Sequence, residues 1–254
     1  MRPLITCSLA ALLCLIVVIP GICQQTMTAK QIIDKADKNM QGDSSISTMT
    51  MTIKRPAWER TIGFKSWAKG TGLALALVTE PAKEKGQTFL KRDNDMWNYI
   101  PSIGRLVKLP PSMMSQGWMG SDYTNDDVLN ESSLVLDYTH ELLATEDFQG
   151  NRCYKIQLTP LEESDIVWGK IITWISSADY LFLKSEYYDE DRALVRTETG
   201  SEIKIMDGRK IPTRLEIIPA DEPNNRTIVM IKTMDFDVKI EDGFFSQQNM
   251  KSLK

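Results

Sequence analysis

The chain has 254 residues, with 30 basic against 34 acidic side chains, a net charge of −4, one histidine and four cysteines. A chain of this length can bury a substantial core, and 42% apolar with 25% charged residues is an ordinary globular balance that excludes a disordered protein. No block of lysine and arginine marks a nucleic-acid-binding surface, so no nucleic-acid partner is expected, and a single histidine excludes a zinc site built on two.

The first segment carries a targeting pattern. Arg2 precedes an apolar run from Leu4 to Ile19, Pro20-Gly21 breaks the helix that run would form, and Gly21 and Cys23 are small enough to flank a signal-peptidase cut. The pattern predicts a signal peptide over 1–23 and one exported domain over 24–254. The alternatives are a membrane anchor by the uncleaved segment and lipidation of Cys23. Cleavage also removes Cys7, Cys14 and Cys23, so Cys153 is left alone and the exported domain holds no intramolecular disulfide.

The mature chain opens on a helix. Thr28 and Gln31 have capping-box spacing, Met27 and Ile32 occupy the positions of a hydrophobic staple, and Ile32, Ile33, Ala36 and Met40 form an apolar stripe that ends at Gly42. Strands follow. Over 47–54, Met49, Met51 and Ile53 alternate with Thr48, Thr50 and Thr52. The segment 58–69 places Trp58, Ile62 and Phe64 opposite Glu59, Thr61 and Lys65. Leu73, Leu75 and Leu77 alternate with Ala74, Ala76 and Val78, which predicts a strand buried on both faces, the small face where another element comes close. Further strands are predicted over 87–92, 95–100, 105–109, 136–145, 152–159, 168–176, 181–188, 193–206, 210–218 and 227–238, separated by turn residues. In the strand over 168–176, Trp168, Ile172 and Trp174 are expected on one face and Ile171 and Ile175 on the other.

Hairpin-length gaps between most of these strands read as one mainly β domain, a large curved antiparallel sheet or barrel. A spacing of ~4.8 Å across about eleven strands gives a perimeter of about 53 Å and, if closed, a diameter of about 17 Å. A helix with its side chains is about 10 Å across. A sheet of this size can therefore wrap one helix and leave apolar space beside it.

The strand pattern breaks over Pro110 to Ser133. Met113, Met114, Trp118 and Met119 crowd seven residues there, and flexible apolar side chains in a long loop suggest a lid, with an inert plug as the alternative. Asp122, Thr124 and Asp126 sit at alternate positions of a calcium loop, but Asp127 stands where glycine is needed and Ser133 where glutamate is needed. The pairs Asp126-Asp127 and Glu162-Glu163 are expected to be solvated surface. No G-x-S-x-G elbow, Walker loop or dinucleotide fingerprint occurs. His140 reads as a structural histidine and Cys153 as a passive strand residue, so no catalytic residue, metal or cofactor is expected. A hydrolase using either of them is the remaining enzymatic alternative.

The runs Met51-Thr-Ile-Lys-Arg-Pro56, Pro81-Ala-Lys-Glu-Lys-Gly86, Met96-Trp-Asn-Tyr-Ile-Pro101, Met113-Met-Ser-Gln-Gly-Trp-Met-Gly-Ser-Asp122, Asp137-Tyr-Thr-His140, Val167-Trp-Gly-Lys170, Glu186-Tyr-Tyr-Asp189 and Ile211-Pro-Thr213 together resemble the bacterial outer membrane lipoprotein-sorting protein family of LolA-like exported proteins. The resemblance covers nearly the whole mature chain. It implies a half-open β-barrel, LolA/LolB-like, that wraps the N-terminal helix and a lid loop around an apolar cavity for acyl chains. It further implies a periplasmic carrier of lipid or lipoprotein acyl chains bound for the outer membrane, served by an inner-membrane transporter and an outer-membrane acceptor. The alternative is an envelope sensor or accessory partner of a membrane transporter with the same fold. No family motif assigns binding residues. From the residues themselves, Ile33, Met40, Met49, Met51, Met113, Met114, Trp118 and Met119 are the candidates for cavity wall and lid.

Overall fold

A computed structural model describes residues 27–92, 95–129, 133–162, 164 and 166–253; the signal segment over 1–23, Cys23 included, lies outside the described residues. Helix α1 (Ala29–Gln41) starts where its cap predicts. The Gln31 N–H donates to the Thr28 hydroxyl at 3.2 Å and the Thr28 N–H donates to the Gln31 side chain at 2.9 Å. It stops at Gly42, whose φ of 66° lies in the left-handed region that favours glycine. A Cβ at Gly42 would also stand 2.9 Å from the Asp237 carboxylate.

The strands are β1 (Ser44–Arg55), β2 (Trp58–Lys69), β3 (Leu73–Glu80), β4 (Thr88–Arg92), β5 (Asp95–Ile100), β6 (Arg105–Leu109), β7 (Tyr138–Phe148), β8 (Asn151–Pro160), β9 (Lys170–Ser176), β10 (Phe182–Tyr188), β11 (Leu194–Met206), β12 (Arg209–Pro219) and β13 (Arg226–Phe236). Each strand expected from the alternation is present, with ends displaced by no more than three residues. All are antiparallel in one sheet ordered β6-β5-β4-β3-β2-β1-β13-β12-β11-β10-β9-β8-β7. Thirteen strands exceed the eleven or so used to size the sheet, and β6 and β7 are free edges, so the curved sheet stays open. Two further short α-helices occur among the described residues, α2 (Asn125–Leu129) and α3 (Gln247–Ser252). No helix among the described residues is long and apolar enough to cross a membrane.

The chain starts mid-sheet, meanders out to β6, and must travel to the opposite edge before it can meander back to pair β13 with β1. The described residues 110–129 and 133–137 belong to that crossing, over the inner face. The helix covers one half of the same face: Ile32, Ile33 and Ala36 pack with Tyr138, Ile156, Leu158, Trp168, Ile171 and Ile175. Burial of each isoleucine contributes about 1.5–3 kcal/mol. The crossover covers the other half, with Trp118 among Met51, Ile62, Phe64, Ala76, Val78 and Phe89.

The two-faced strand β3 now has its explanation. Ala76 and Val78 turn inward beneath Trp118, while Leu75 and Leu77 turn outward against Phe245 and Met250 of the C-terminal segment. On β1 the methionines face inward and the threonines outward, where Thr48 bonds Thr233 at 2.6 Å and Thr52 bonds Thr61 at 3.0 Å across the ladders.

Trp168 departs from expectation. It packs with Ile171 and Ile175, whereas Trp174 lies on the outer face with Cys153, Leu181 and Leu183. The alternation fails because Gly169 precedes the strand and lies against the Asp189 carbonyl, 2.1 Å from where a Cβ would stand. Cys153 is fully buried there, and burial raises its thiol pKa. The His140 ring donates from Nε2 to the Leu134 carbonyl at 2.7 Å.

Candidate functional site

The crossover is staked to the sheet by three arginines. Arg55, at the end of β1, holds the Asp122 carboxylate with both terminal nitrogens, at 2.9 and 3.2 Å, and donates to the Gly120 carbonyl at 3.2 Å. Arg60 of β2 donates to the Met119 carbonyl. Arg196 of β11 donates to the Asp122 carbonyl at 3.1 Å and grips Asp127 bidentately at 2.5 and 2.7 Å. Thr227 completes the hold on Asp122, donating to its carboxylate at 2.7 Å and accepting its N–H at 3.0 Å. Between these stakes Trp118 is 1% exposed and stands edge-on to Phe64 and Phe89, at 5.5 and 5.2 Å between ring centres.

Asp127 corrects the expectation that Asp126-Asp127 is solvated surface. Its carboxylate faces inward, and it also caps α2: the Thr124 N–H and hydroxyl donate to it at 2.7 and 2.8 Å, while its own N–H donates to Thr124. Thr124 and Asp127 have capping-box spacing, so this helix start was legible in the residues. Arg196 was not singled out from the sequence. The alternation gave no sign of it, since Val195, Ile203 and Ile205 of β11 lie on the opposite parity from Arg196 and Glu198.

These residues form a buried polar cluster. The Arg196 guanidinium lies over Tyr187 at 4.1 Å and Trp168 at 4.6 Å. Glu198 accepts from the Tyr123 hydroxyl at 2.9 Å and from Tyr187 at 3.3 Å. Burial by itself would lower the Arg196 pKa, but the bound Asp127 carboxylate raises it instead, so the guanidinium stays charged. Burial, then Glu198, pushes both tyrosine hydroxyls well up. Burial also raises Glu198, outweighing the opposing pull of Arg196 and the tyrosine bonds.

A pH dependence follows. The folded protein holds the Glu198 proton more tightly than the unfolded chain does. The stability tied to it is full below the ordinary glutamate pKa of about 4.3 and is lost as pH rises through the raised folded value. Glu198→Gln removes that loss, so the melting temperature of the variant relative to wild type should climb as pH rises through this range and then level off. Thermal denaturation over a pH series checks this, and a constant or falling difference contradicts it.

Two adjoining cavities of about 270 Å³ each lie between α1, the crossover and the inner face, sharing Met40, Gln41, Tyr123, Asp127 and Leu215 as wall. Together they reach the size of small-molecule sites, roughly 300–1,000 Å³. The first is the more polar of the two, lined by Asp37, Ser185, Tyr187, Arg196 and Glu198 beside Trp168 and Phe182. The second is apolar, walled by Met40, Met49, Met51, Phe64, Trp118, Ile231 and Met234. Its floor consists of short side chains: the ladder aligns Ser47 with Ser66 and Ser66 with Ala76, then Ser45 with Ala68 and Ala68 with Ala74. Rows of serine and alanine across β1, β2 and β3 leave unfilled the space that leucines would occupy.

Of the candidates named from sequence, Met40, Met49, Met51 and Trp118 line the apolar cavity. Met114 and Met119 pack behind Trp118 against the core and line neither cavity. Ile33 is fully buried under α1, and Met113 lines neither cavity. The short residues of the floor were missed because smallness attracts no attention in an alternating pattern.

A family model described as "Uncharacterized protein" matches residues 70–252. The chain belongs to this family. Among solved structures, a DUF1329 family protein from Desulfovibrio piger superposes with a TM-score of 0.79 at 24% identity, covering 87% of this chain and 97% of its own. A domain from Vibrio parahaemolyticus, titled for outer membrane lipoprotein sorting, gives 0.77 at 22% identity over 88% and 98%. A LolA superfamily protein from Nitrosomonas europaea gives 0.76 at 23% identity over 88% and 100%. The chain shares its fold with these three proteins, the LolA superfamily protein among them, as the sequence motifs imply. No curated protein matches the chain.

Proposed function

We propose that the protein is a periplasmic carrier that holds lipid, or the acyl chains of a lipoprotein, in the apolar cavity during transfer toward the outer membrane. The observation that carries this reading is the floor of short side chains beneath Met40, Met49, Met51 and Trp118, which leaves an apolar space beside a fully packed core. Each buried methylene contributes about 0.8 kcal/mol, so a chain of 14 to 16 carbons supplies ~10 kcal/mol before ordering costs. The likeness to the lipoprotein-sorting domain from Vibrio parahaemolyticus supports the same class of cargo. The signal pattern over 1–23 supplies the route of export. An inner-membrane transporter would load the carrier and an outer-membrane acceptor would empty it.

Protein purified from its native host should release lipid on organic extraction at close to equimolar amounts. Ala74→Phe places a ring on the cavity floor, and should lower that yield about tenfold while leaving thermal stability equal or higher, because the ring fills existing space. Lipid-free wild type, or unchanged occupancy in the variant, overturns the reading.

A further inference from the structure

We infer that the polar cavity receives the head of the cargo and selects an uncharged, ester- or hydroxyl-bearing head, that of an acylglycerol, over an anionic one. The inference deepens the carrier reading and rests on it. A buried arginine beside a cavity is ordinarily an anion site, and Arg196, 3% exposed, lines this one. Its terminal nitrogens, however, are committed to Asp127 and the Asp122 carbonyl, and its flat faces to Trp168 and Tyr187. Lys184, on the neighbouring strand β10, turns its ammonium to the outer face, over Trp174 at 4.4 Å and against Glu186 at 2.6 Å. Against these stand Asp37, Asp127 and Glu198 on the same wall. Whichever form Glu198 takes, the cavity holds no surplus of positive charge. A phosphate or carboxylate entering it would shed its hydration and find no cation in return.

What the walls do offer is groups suited to a neutral, hydroxyl- or ester-bearing head: the hydroxyls of Ser133 and Ser185 and the Glu198 carboxylate. The Arg196 Nε–H is buried and has no partner. The Trp118 Nε1–H, at the wall of the adjoining apolar cavity, is likewise buried without one. Buried donors of this kind are rare in native proteins. Two of them lie on residues that line the cavities, Arg196 in one and Trp118 in the other, and the two cavities share a wall. The Glu198 carboxylate accepts a head-group hydroxyl where a second anion would be repelled.

The test compares three probes that share one oleoyl chain: monooleoylglycerol, oleate and lysophosphatidylglycerol. Delipidated full-length mature protein is titrated with each below its micelle threshold, by calorimetry or tryptophan fluorescence. Monooleoylglycerol should bind about tenfold or more tightly than either anionic lipid. Glu198→Gln keeps an oxygen for the tyrosine hydroxyls while removing the charge, and should narrow that gap about threefold or more by strengthening the anionic lipids. Equal affinity for all three in wild type overturns the head selection and leaves the carrier reading standing. An unchanged gap in Glu198→Gln overturns the assignment to Glu198. Binding of none of the three overturns the carrier reading itself.

Discussion

Arg196→Met is expected to destabilise the protein by about 3–5 kcal/mol, because it strands a buried carboxylate. Asp127 keeps the two Thr124 donors, but loses the bidentate guanidinium that neutralises it. The variant also loses the stacking of that guanidinium on Tyr187 and Trp168 and the stake on the Asp122 carbonyl. Adding Asp127→Asn removes the stranded charge while leaving an oxygen to cap Thr124, and should return about 1–3 kcal/mol of the loss. Urea denaturation of both variants measures this. A loss under about 1 kcal/mol in the single variant would show that Asp127 finds water or another partner, and that the crossover is not held from β11.

The second large effect is at Trp118. Trp118→Ala removes a wholly buried indole from between Phe64 and Phe89 and should cost about 3–5 kcal/mol. The space it opens merges with the apolar cavity, so the void cannot collapse from that side. Trp118→Phe should cost less than about 1.5 kcal/mol, since it keeps an aromatic ring and forfeits no hydrogen bond, the Nε1–H having none. Chemical denaturation ranks the two variants. Limited proteolysis supplies an independent readout, with cleavage within 113–129 rising in the alanine variant alone. Equal losses in the two variants would point instead to a polar role for the indole nitrogen.

Both predictions concern a crossover that is anchored to the sheet between Met119 and Asp127. From the residues alone, Met113, Met114, Trp118 and Met119 suggested an adaptable lid. In the fold, Arg55, Arg60 and Arg196 fix its backbone and side chains from β1, β2 and β11, and Trp118 serves as wall and plug together. Access to the cavities therefore has to come from beside the crossover or from breaking those contacts.

Much of the architecture was legible because the signals are local. Capping-box spacing at Thr28 and Gln31 and a stop at Gly42 define α1, and strict alternation defines the strands, since both depend on neighbours within a few residues. Short gaps between successive strands made antiparallel neighbours of them. The unequal faces of β3 correctly announced a close approach on its small side. What the residues could not show is where the long segment after β6 goes. That path alone brings Asp127 to Arg196, 69 residues later in the chain, and Asp122 to Arg55, 67 residues earlier.

The same division holds for the site. Composition and periodicity determined an acidic, mainly β chain with one amphipathic helix to cover, and placed Met40, Met49 and Met51 on inward faces. Only the tertiary structure decided that a cavity exists. It depends on strand register, because a slip of one residue would turn Ser47, Ser66 and Ala76 outward and replace the gap with filled core. It depends equally on the charge cluster assembled across the crossover, because the partners of a buried ion are chosen by where the chain crosses and not by the pattern on either strand.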